Sequence, residues 1–94
     1  MRKYGRTDKN QAAIVKALRG VGAKVTSTAS MGDGFPDLVV IFRGAITIME
    51  VKMPGEDLTD DEMEWWDDAE FRGLLRKNHI VYGVDDALRK IGAT

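Results

Sequence analysis

The sequence predicts an α/β fold in which a mixed β-sheet is flanked by helices on both of its faces. Apolar residues recur at helical spacing near the N-terminus, and two segments rich in β-branched residues are separated by Arg43-Gly44. A third indication is a capped helix start that follows this hairpin. The predicted element order is α-β-β-β-α-β-α, and the 94 residues, 1–94, are expected to form a single domain.

The composition is that of an ordinary soluble chain, with 44% apolar residues, 31% charged residues and a net charge of −1. No apolar run approaches the roughly 20 residues that cross a bilayer, and no apolar stretch follows the N-terminal bases as it would in a signal peptide. The absence of cysteine excludes disulfides, thiolate metal ligands and a cysteine nucleophile. We therefore expect a cytoplasmic protein that does not enter a membrane.

Charge is distributed unevenly along the chain. Seven bases and one acid lie in residues 1–24, whereas nine acids and no base lie in residues 56–70. A basic segment can follow phosphates, and its candidate DNA-binding residues are Arg2, Lys3, Arg6 and Lys9. Two solvated helix faces of opposite sign would produce the same pattern, so charge alone leaves nucleic-acid binding open.

The first third of the chain is predicted to contain one helix and one short strand. Apolar spacing predicts a helix over residues 7–20, and residues 23–27 are predicted to form the strand. Residues 28–36 form a loop that contains Gly32 and Gly34. These glycines either let a DNA backbone approach closely or only shape the turn.

The last third of the chain is predicted to contain two helices and a strand. Thr59 and Glu62 have the spacing of a capping box, which starts a helix that runs to about Phe71. Residues 80–82 are predicted to be a strand, and Asp85 is predicted to cap the final helix.

The length of the hairpin loop predicts which residues of the two central strands face each other. Residues 37–42 and 45–52 are its strands, and a two-residue loop between them places Asp37 opposite Glu50. Lys52, two residues beyond Glu50, then projects from the same face. A three-residue loop would instead turn the two acids to opposite faces.

Two opposed carboxylates at the end of an apolar surface need a compensating positive charge. Mg²⁺ binds one or two carboxylates together with water and substrate phosphate, and a nearby lysine can steady developing negative charge. Asp37, Glu50 and Lys52 are therefore the predicted catalytic residues of a phosphodiester hydrolase. Alternatively, Asp37 is only a turn residue, and Glu50 with Lys52 is a surface ion pair worth less than about 1 kcal/mol.

The same residues resemble the motifs of the PD-(D/E)XK nuclease superfamily, with Pro36-Asp37 as the first half and Glu50-Val51-Lys52 as the second. More narrowly, residues 34–38 are similar to the Gly-x-Pro-Asp-Leu segment of the VRR-NUC (virus-type replication-repair nuclease) family. The chain looks like the short, stand-alone members found in phages. Residues 8–11 and 58–65 resemble helices of that family, so the resemblance covers nearly the whole chain.

This resemblance implies a restriction-endonuclease-like fold and Mg²⁺- or Mn²⁺-dependent endonuclease activity on DNA, often branched DNA such as Holliday junctions. It also implies a homodimer, located in the host cell cytoplasm if the chain is viral. Asp37 and Glu50 would bind the metal ion with help from the backbone carbonyl of Val51, and Lys52 would assist the attacking water. In the family an acid of the first helix often completes the surroundings of the metal, and Asp8 is the candidate here. Alternatively, Asp8 is only an acid in the first turn that interacts with the helix dipole.

Five further side chains have open roles. Gln11 continues the buried stripe of the first helix and is a possible supporting residue of the site. Glu62 stands where the family often has glutamine, although the capping box also explains it. One of Trp65 and Trp66 is expected in the core, and the other either stacks on a base or fills a dimer contact. His79 is expected at the surface or at a strand entry.

Two alternative functions remain beside the nuclease. A non-catalytic DNA-binding or nuclease-subunit module would have the same fold. Alternatively, the acidic segment 56–70 would make the chain an interaction protein or inhibitor that mimics DNA. Metal dependence separates these hypotheses, because only the nuclease should lose its activity when a chelator is added.

Overall fold

The computed structural model describes the backbone of residues 4–94 and the side chains from residue 10 onward. Its elements are α1 (Tyr4–Gly20), β1 (Lys24–Ser27), a 3-10 turn (Ala29–Met31), β2 (Leu38–Phe42), β3 (Ala45–Val51), α2 (Asp60–Phe71), a 3-10 turn (Arg76–Asn78), β4 (Ile80–Val81) and α3 (Val84–Lys90). This described part is a mixed α/β fold with one four-stranded sheet and three α-helices, as expected. None of its helices has the length and apolar character needed to cross a membrane.

The strands lie in the order β1-β2-β3-β4. Strand β2 runs antiparallel to both β1 and β3, whereas β4 runs parallel to β3. Between β2 and β3, Arg43 and Gly44 have φ angles of 50° and 83°, which is the conformation of a two-residue turn matched to strand twist. Leu38 pairs with Met49 and Phe42 with Ala45, so the predicted two-residue loop and its register are confirmed.

One face of the sheet carries the hydrophobic core. Ile14 and Leu18, one helical turn apart on α1, are fully buried, and Ala87 brings α3 into the same cluster. The sheet contributes the following buried residues: Val25, Leu38, Val40, Phe42, Met49, Val51 and Val81. Helices α1 and α3 therefore cover this face together and contact each other.

The opposite face of the sheet is only partly covered. Helix α2 reaches it through Trp66, which is fully buried beside the end of β3. Ile41 and Ile46, which pair with each other near the hairpin turn, remain 40% and 71% exposed. The expectation that both faces are fully covered is therefore wrong for this end, because the 12-residue helix α2 packs at the other.

Two helix starts differ from their predicted positions. Helix α1 begins at Tyr4 rather than at residue 7. Helix α3 begins at Val84 after Gly83, so the prediction that Asp85 caps it is wrong. The carboxylate of Asp86, one residue later, instead accepts a hydrogen bond of 3.0 Å from the amide of Tyr82. An acid inside the first turn thus accepts a hydrogen bond from a backbone amide that precedes the helix.

Gly34 lies directly against the first turn of α2. Its φ angle is +76°, and a Cβ atom added there would stand 2.1 Å from the carbonyl oxygen of Asp61. Gly32 has a similar φ of +74° but open space around it. Both the positive φ angle and the close approach to α2 therefore require glycine at residue 34. At residue 32 only the positive φ angle favours glycine.

We expect Gly34→Ala to lower the free energy of unfolding by about 2 kcal/mol, because it adds a clash with α2 to the cost of a left-handed backbone. Gly32→Ala is the control, since it also places a Cβ atom at a positive φ, here with a ψ of −167°, but that atom would meet nothing within 4 Å. Its loss should be about 1 kcal/mol. Urea unfolding measures both values, and equal losses would show that the close approach to α2 is unimportant.

Candidate functional site

Asp37 is held on three sides immediately before β2. Its amide donates to the Met49 carbonyl at 3.0 Å, and its carbonyl accepts from the Thr28 amide at 2.7 Å. Its carboxylate oxygen Oδ2 accepts from the Val51 amide at 2.9 Å. The side chain is therefore bound across the end of β3, so the contacts of Asp37 extend beyond the turn in which it stands.

Glu50 is a fully buried acid in β3. Its carboxylate oxygen Oε1 accepts a hydrogen bond of 3.0 Å from the indole nitrogen of Trp66. The other oxygen, Oε2, is buried and receives no hydrogen bond from the described residues. The paired register of the hairpin ends at Leu38 and Met49, and the Asp37 amide donates to the Met49 carbonyl, so the regular pairing does not extend to Asp37 and Glu50. The carboxyl groups of these two acids nevertheless lie within hydrogen-bonding reach of each other.

The two facing acids hold protons more strongly than free acids do. Burial and the neighbouring Asp37 carboxylate raise the pKa of Glu50 to about 9. Burial also raises the pKa of Asp37, and this outweighs the lowering by hydrogen bonds to Glu50 and the Val51 amide. Near neutral pH the pair therefore resists carrying two negative charges unless a positive charge enters.

Lys52 lies near the Asp37 carboxylate, but its ion-pair partner is Glu62 and not Glu50. Its Nζ lies 2.7 Å from Glu62 Oε1, and the two side chains are only 7% and 14% exposed. The alternative of a surface ion pair between Lys52 and Glu50 is therefore wrong. A nearly buried ammonium beside two acids is well placed to stabilise negative charge that develops there.

Glu62 serves the helix start and the site at once. The predicted capping box is present, with the Thr59 side chain accepting from the Glu62 amide and Glu62 Oε1 accepting from the Thr59 amide at 2.9 Å. Burial would raise the pKa of Glu62, but hydrogen bonds from Lys52 and Thr59 outweigh it and lower that pKa. An ionised Glu62 thus holds the Lys52 side chain in place.

The contacts of α2 with the end of β3 follow from the similar rise of four helical residues and two strand residues. Glu62 and Trp66 are four residues apart on α2, which is a rise of about 6 Å. Their partners are Glu50, in β3, and Lys52, directly after its end, and two residues of extended chain span about 6.6 Å. One helix face therefore reaches both charged residues. Sequence reasoning missed the Trp66 contact, although its spacing from the capping residue Glu62 was a usable signal.

The donor groups fit a hard divalent cation. The Val51 amide faces Asp37, and in a strand the carbonyl of the same residue points to the same side. No group of three or more His, Cys, Asp or Glu side chains suited to a metal occurs among the described side chains. Two carboxylates suffice for Mg²⁺, which keeps several waters and takes substrate phosphates as further ligands. The unpartnered Glu50 Oε2 supplies the free oxygen that such an ion needs.

The remaining predicted site residues either lie near Asp37, Glu50 and Lys52 or have side chains that the structure does not describe. Gln11 donates to the Ser27 hydroxyl at 3.3 Å rather than to the acids. Its neighbour Asn10 donates to the Lys52 carbonyl at 3.2 Å, so α1 reaches the end of β3. Five predicted site residues have side chains outside the described ones: Arg2, Lys3, Arg6, Asp8 and Lys9.

Aromatic rings pack around the indole of Trp66. Trp66 is the buried tryptophan that the sequence predicted, and its ring is stacked on His79 with centroids 5.5 Å apart. His79 stands directly before β4, at the strand entry that the sequence predicted, and its Nδ1 lies 2.8 Å from the Ile48 carbonyl. Trp65 packs edge-on against Phe35 and Trp66 at 5.5 and 5.0 Å, which gives it contacts within the chain itself.

Comparisons with protein-family profiles, with curated proteins and with solved structures found no match.

Proposed function

We propose that this protein is a metal-dependent DNA endonuclease that hydrolyses phosphodiester bonds at Asp37, Glu50 and Lys52. The observation that carries the proposal is the fully buried Glu50 carboxyl group, which lies close to that of Asp37 and whose oxygen Oε2 accepts no hydrogen bond from a donor among the described residues. A fold gains nothing in stability from this arrangement. A divalent cation between the two groups would remove its cost.

Each residue has a distinct role in the proposed reaction. Asp37 and Glu50 hold Mg²⁺ or Mn²⁺, and the Val51 carbonyl is a third donor. When bound, the ion lowers the pKa of water and polarises a phosphate oxygen. Lys52, fixed by Glu62, stabilises the negative charge that grows on the attacked phosphate and orients the attacking water. The Asp37 side chain cannot drift from the site, because the Val51 amide holds it.

We further propose that the chain is a VRR-NUC domain with the restriction-endonuclease-like fold. Support comes from the positions of the motif residues, with Asp37 entering β2 and Glu50 and Lys52 at the end of β3. Glu62 departs from the glutamine that the family often has. Its ion pair with Lys52 explains how an acid is accommodated near the site without adding an unbalanced charge.

Branched DNA, such as a Holliday junction, is the proposed substrate, and a homodimer is the proposed working form. The described part of one chain holds one pair of facing acids, whereas resolving a junction requires two cuts. A dimer with two-fold symmetry supplies two centres that match two-fold-symmetric DNA. The exposed Ile41 and Ile46 form the apolar surface that we propose the second copy covers.

Ile46→Lys should therefore convert a dimer into a monomer, because it places a charge in the centre of the proposed contact. The matched control is Phe71→Lys, since Phe71 is 87% exposed on α2 away from this surface and should leave the dimer intact. Light scattering after gel filtration gives the mass of each variant. A monomeric wild type, or a dimeric Ile46→Lys variant, would contradict this surface.

The test of the proposed function is cleavage of labelled four-way junction, flap, single-stranded and linear duplex DNA in Mg²⁺, Mn²⁺ or EDTA. We expect cutting that requires metal and is fastest on a branched substrate. Tight DNA binding without cutting in either metal would favour the non-catalytic module. Neither binding nor cutting would favour the acidic-surface interaction protein.

A further inference from the structure

The hydrogen bond between Trp66 and Glu50 joins two fully buried side chains. The indole nitrogen can only donate, and here it donates to one of the two carboxylate oxygens at 3.0 Å. Among the described residues, no N–H or hydroxyl group donates to the other oxygen, Glu50 Oε2. The contact therefore distinguishes two oxygens that are chemically equivalent in a free carboxylate.

Trp66 is itself held in a fixed orientation. Its ring lies between the stacked imidazole of His79 and the edge-on ring of Trp65. His79 is bound in turn to the carbonyl of Ile48, two residues before Glu50 on the same strand. The indole donor is thus anchored to the strand that carries its acceptor, so rotation of the Glu50 carboxyl group must break a buried hydrogen bond.

We infer that Trp66 is a positioning residue, which fixes Glu50 by occupying Oε1 and thereby presents Oε2 to the metal ion. This inference rests on the proposed function, since it concerns the same site. Outer hydrogen-bond partners of metal-binding carboxylates and histidines commonly change metal affinity by about 10–100-fold when they are removed. A tryptophan placed only to fill the core would have no such effect.

The experiment is calorimetric titration of Mn²⁺ into the wild type, Trp66→Phe and Trp65→Phe at one pH. Trp66→Phe keeps an aromatic ring on His79 but loses the N–H donor, and we expect its Kd to rise about 10–100-fold. Trp65→Phe is the matched control, because the Trp65 indole N–H donates to no described residue. Its Kd should stay within about threefold of the wild type.

A second measurement covers the case in which Trp66→Phe fails to fold. In ¹⁵N-labelled wild-type protein the two indole N–H signals are assigned with Trp65→Phe, and Mg²⁺ is then added. We expect the Trp66 signal to move and the Trp65 signal to move much less. Equal shifts of both signals, or equal Kd values for wild type and Trp66→Phe, would overturn the inference and leave the proposed function standing. Failure of the wild type to bind either metal would overturn both.

Discussion

Replacing Lys52 with methionine should reduce the rate of DNA cleavage at saturating metal by about 10²–10³-fold, because a donor aimed at developing charge contributes on this scale. Methionine has a similar length and retains packing in a position that is only 7% exposed. DNA binding should change much less, since the interaction is made mainly in the transition state. Single-turnover cleavage and a binding titration together measure the two effects.

Loss of the ammonium also leaves Glu62 without its ion-pair partner, which lowers stability for a reason unrelated to catalysis. The double variant Lys52→Met with Glu62→Gln removes both charges and keeps a capping-box side chain at residue 62. We expect this variant to recover stability but not cleavage. Lys90→Ala, at the exposed end of α3, is the control for removing a positive charge elsewhere. Cleavage by Lys52→Met within a few-fold of the wild type would rule out the proposed role of Lys52.

Glu50→Gln should stabilise the metal-free protein at pH 8 by about 5 kcal/mol. The raised pKa of Glu50, about 9 against an ordinary 4.5, means that the folded chain binds more protons than the unfolded chain between these values. The free energy of unfolding of the wild type therefore falls as pH rises from about 5 to 9. Glutamine carries no charge, accepts from Trp66 through its oxygen, and can donate to Asp37 through its nitrogen.

The measurement is urea unfolding of the wild type and Glu50→Gln from pH 5 to 9 with EDTA present. The gap between the two should widen with pH. The lowered pKa values of Glu62 and Asp86 act only on the acid side of this range, and they are shared by both proteins. Adding Mg²⁺ or Mn²⁺ at pH 8 should stabilise the wild type and hardly affect Glu50→Gln. A gap that does not change with pH would contradict the electrostatic origin of the effect.

Local rules account for the parts of the fold that the sequence predicted well. The turn at Arg43-Gly44 fixes the register of the hairpin, and that register determines which side chains share a face with Asp37. The capping box at Thr59 and Glu62 likewise fixes the start of α2. Both are short patterns whose geometry is set by residues close in the chain.

Contacts between distant residues account for what was missed. The partner of Lys52 is ten residues away on another element, and Trp66 meets Glu50 across a separation of 16 residues. Which face of α2 turns to the sheet depends on tertiary packing, including the close approach of Gly34 to Asp61. The exposure of Ile46 has the same origin, because periodicity shows that a strand is apolar on both faces but not how far a neighbouring helix extends.

The most direct test of the central claim is chelator-sensitive cleavage of a labelled four-way junction by the wild type and Asp37→Asn in Mg²⁺. Asparagine keeps an oxygen that can accept from the Val51 amide, so the fold is retained while one negative charge of the proposed metal site is lost. We expect the wild type to cut in Mg²⁺ and not in EDTA, and Asp37→Asn to cut at least about 10²-fold more slowly. Cutting that continues in EDTA, or that survives in Asp37→Asn, would contradict a nuclease centre built on these two acids.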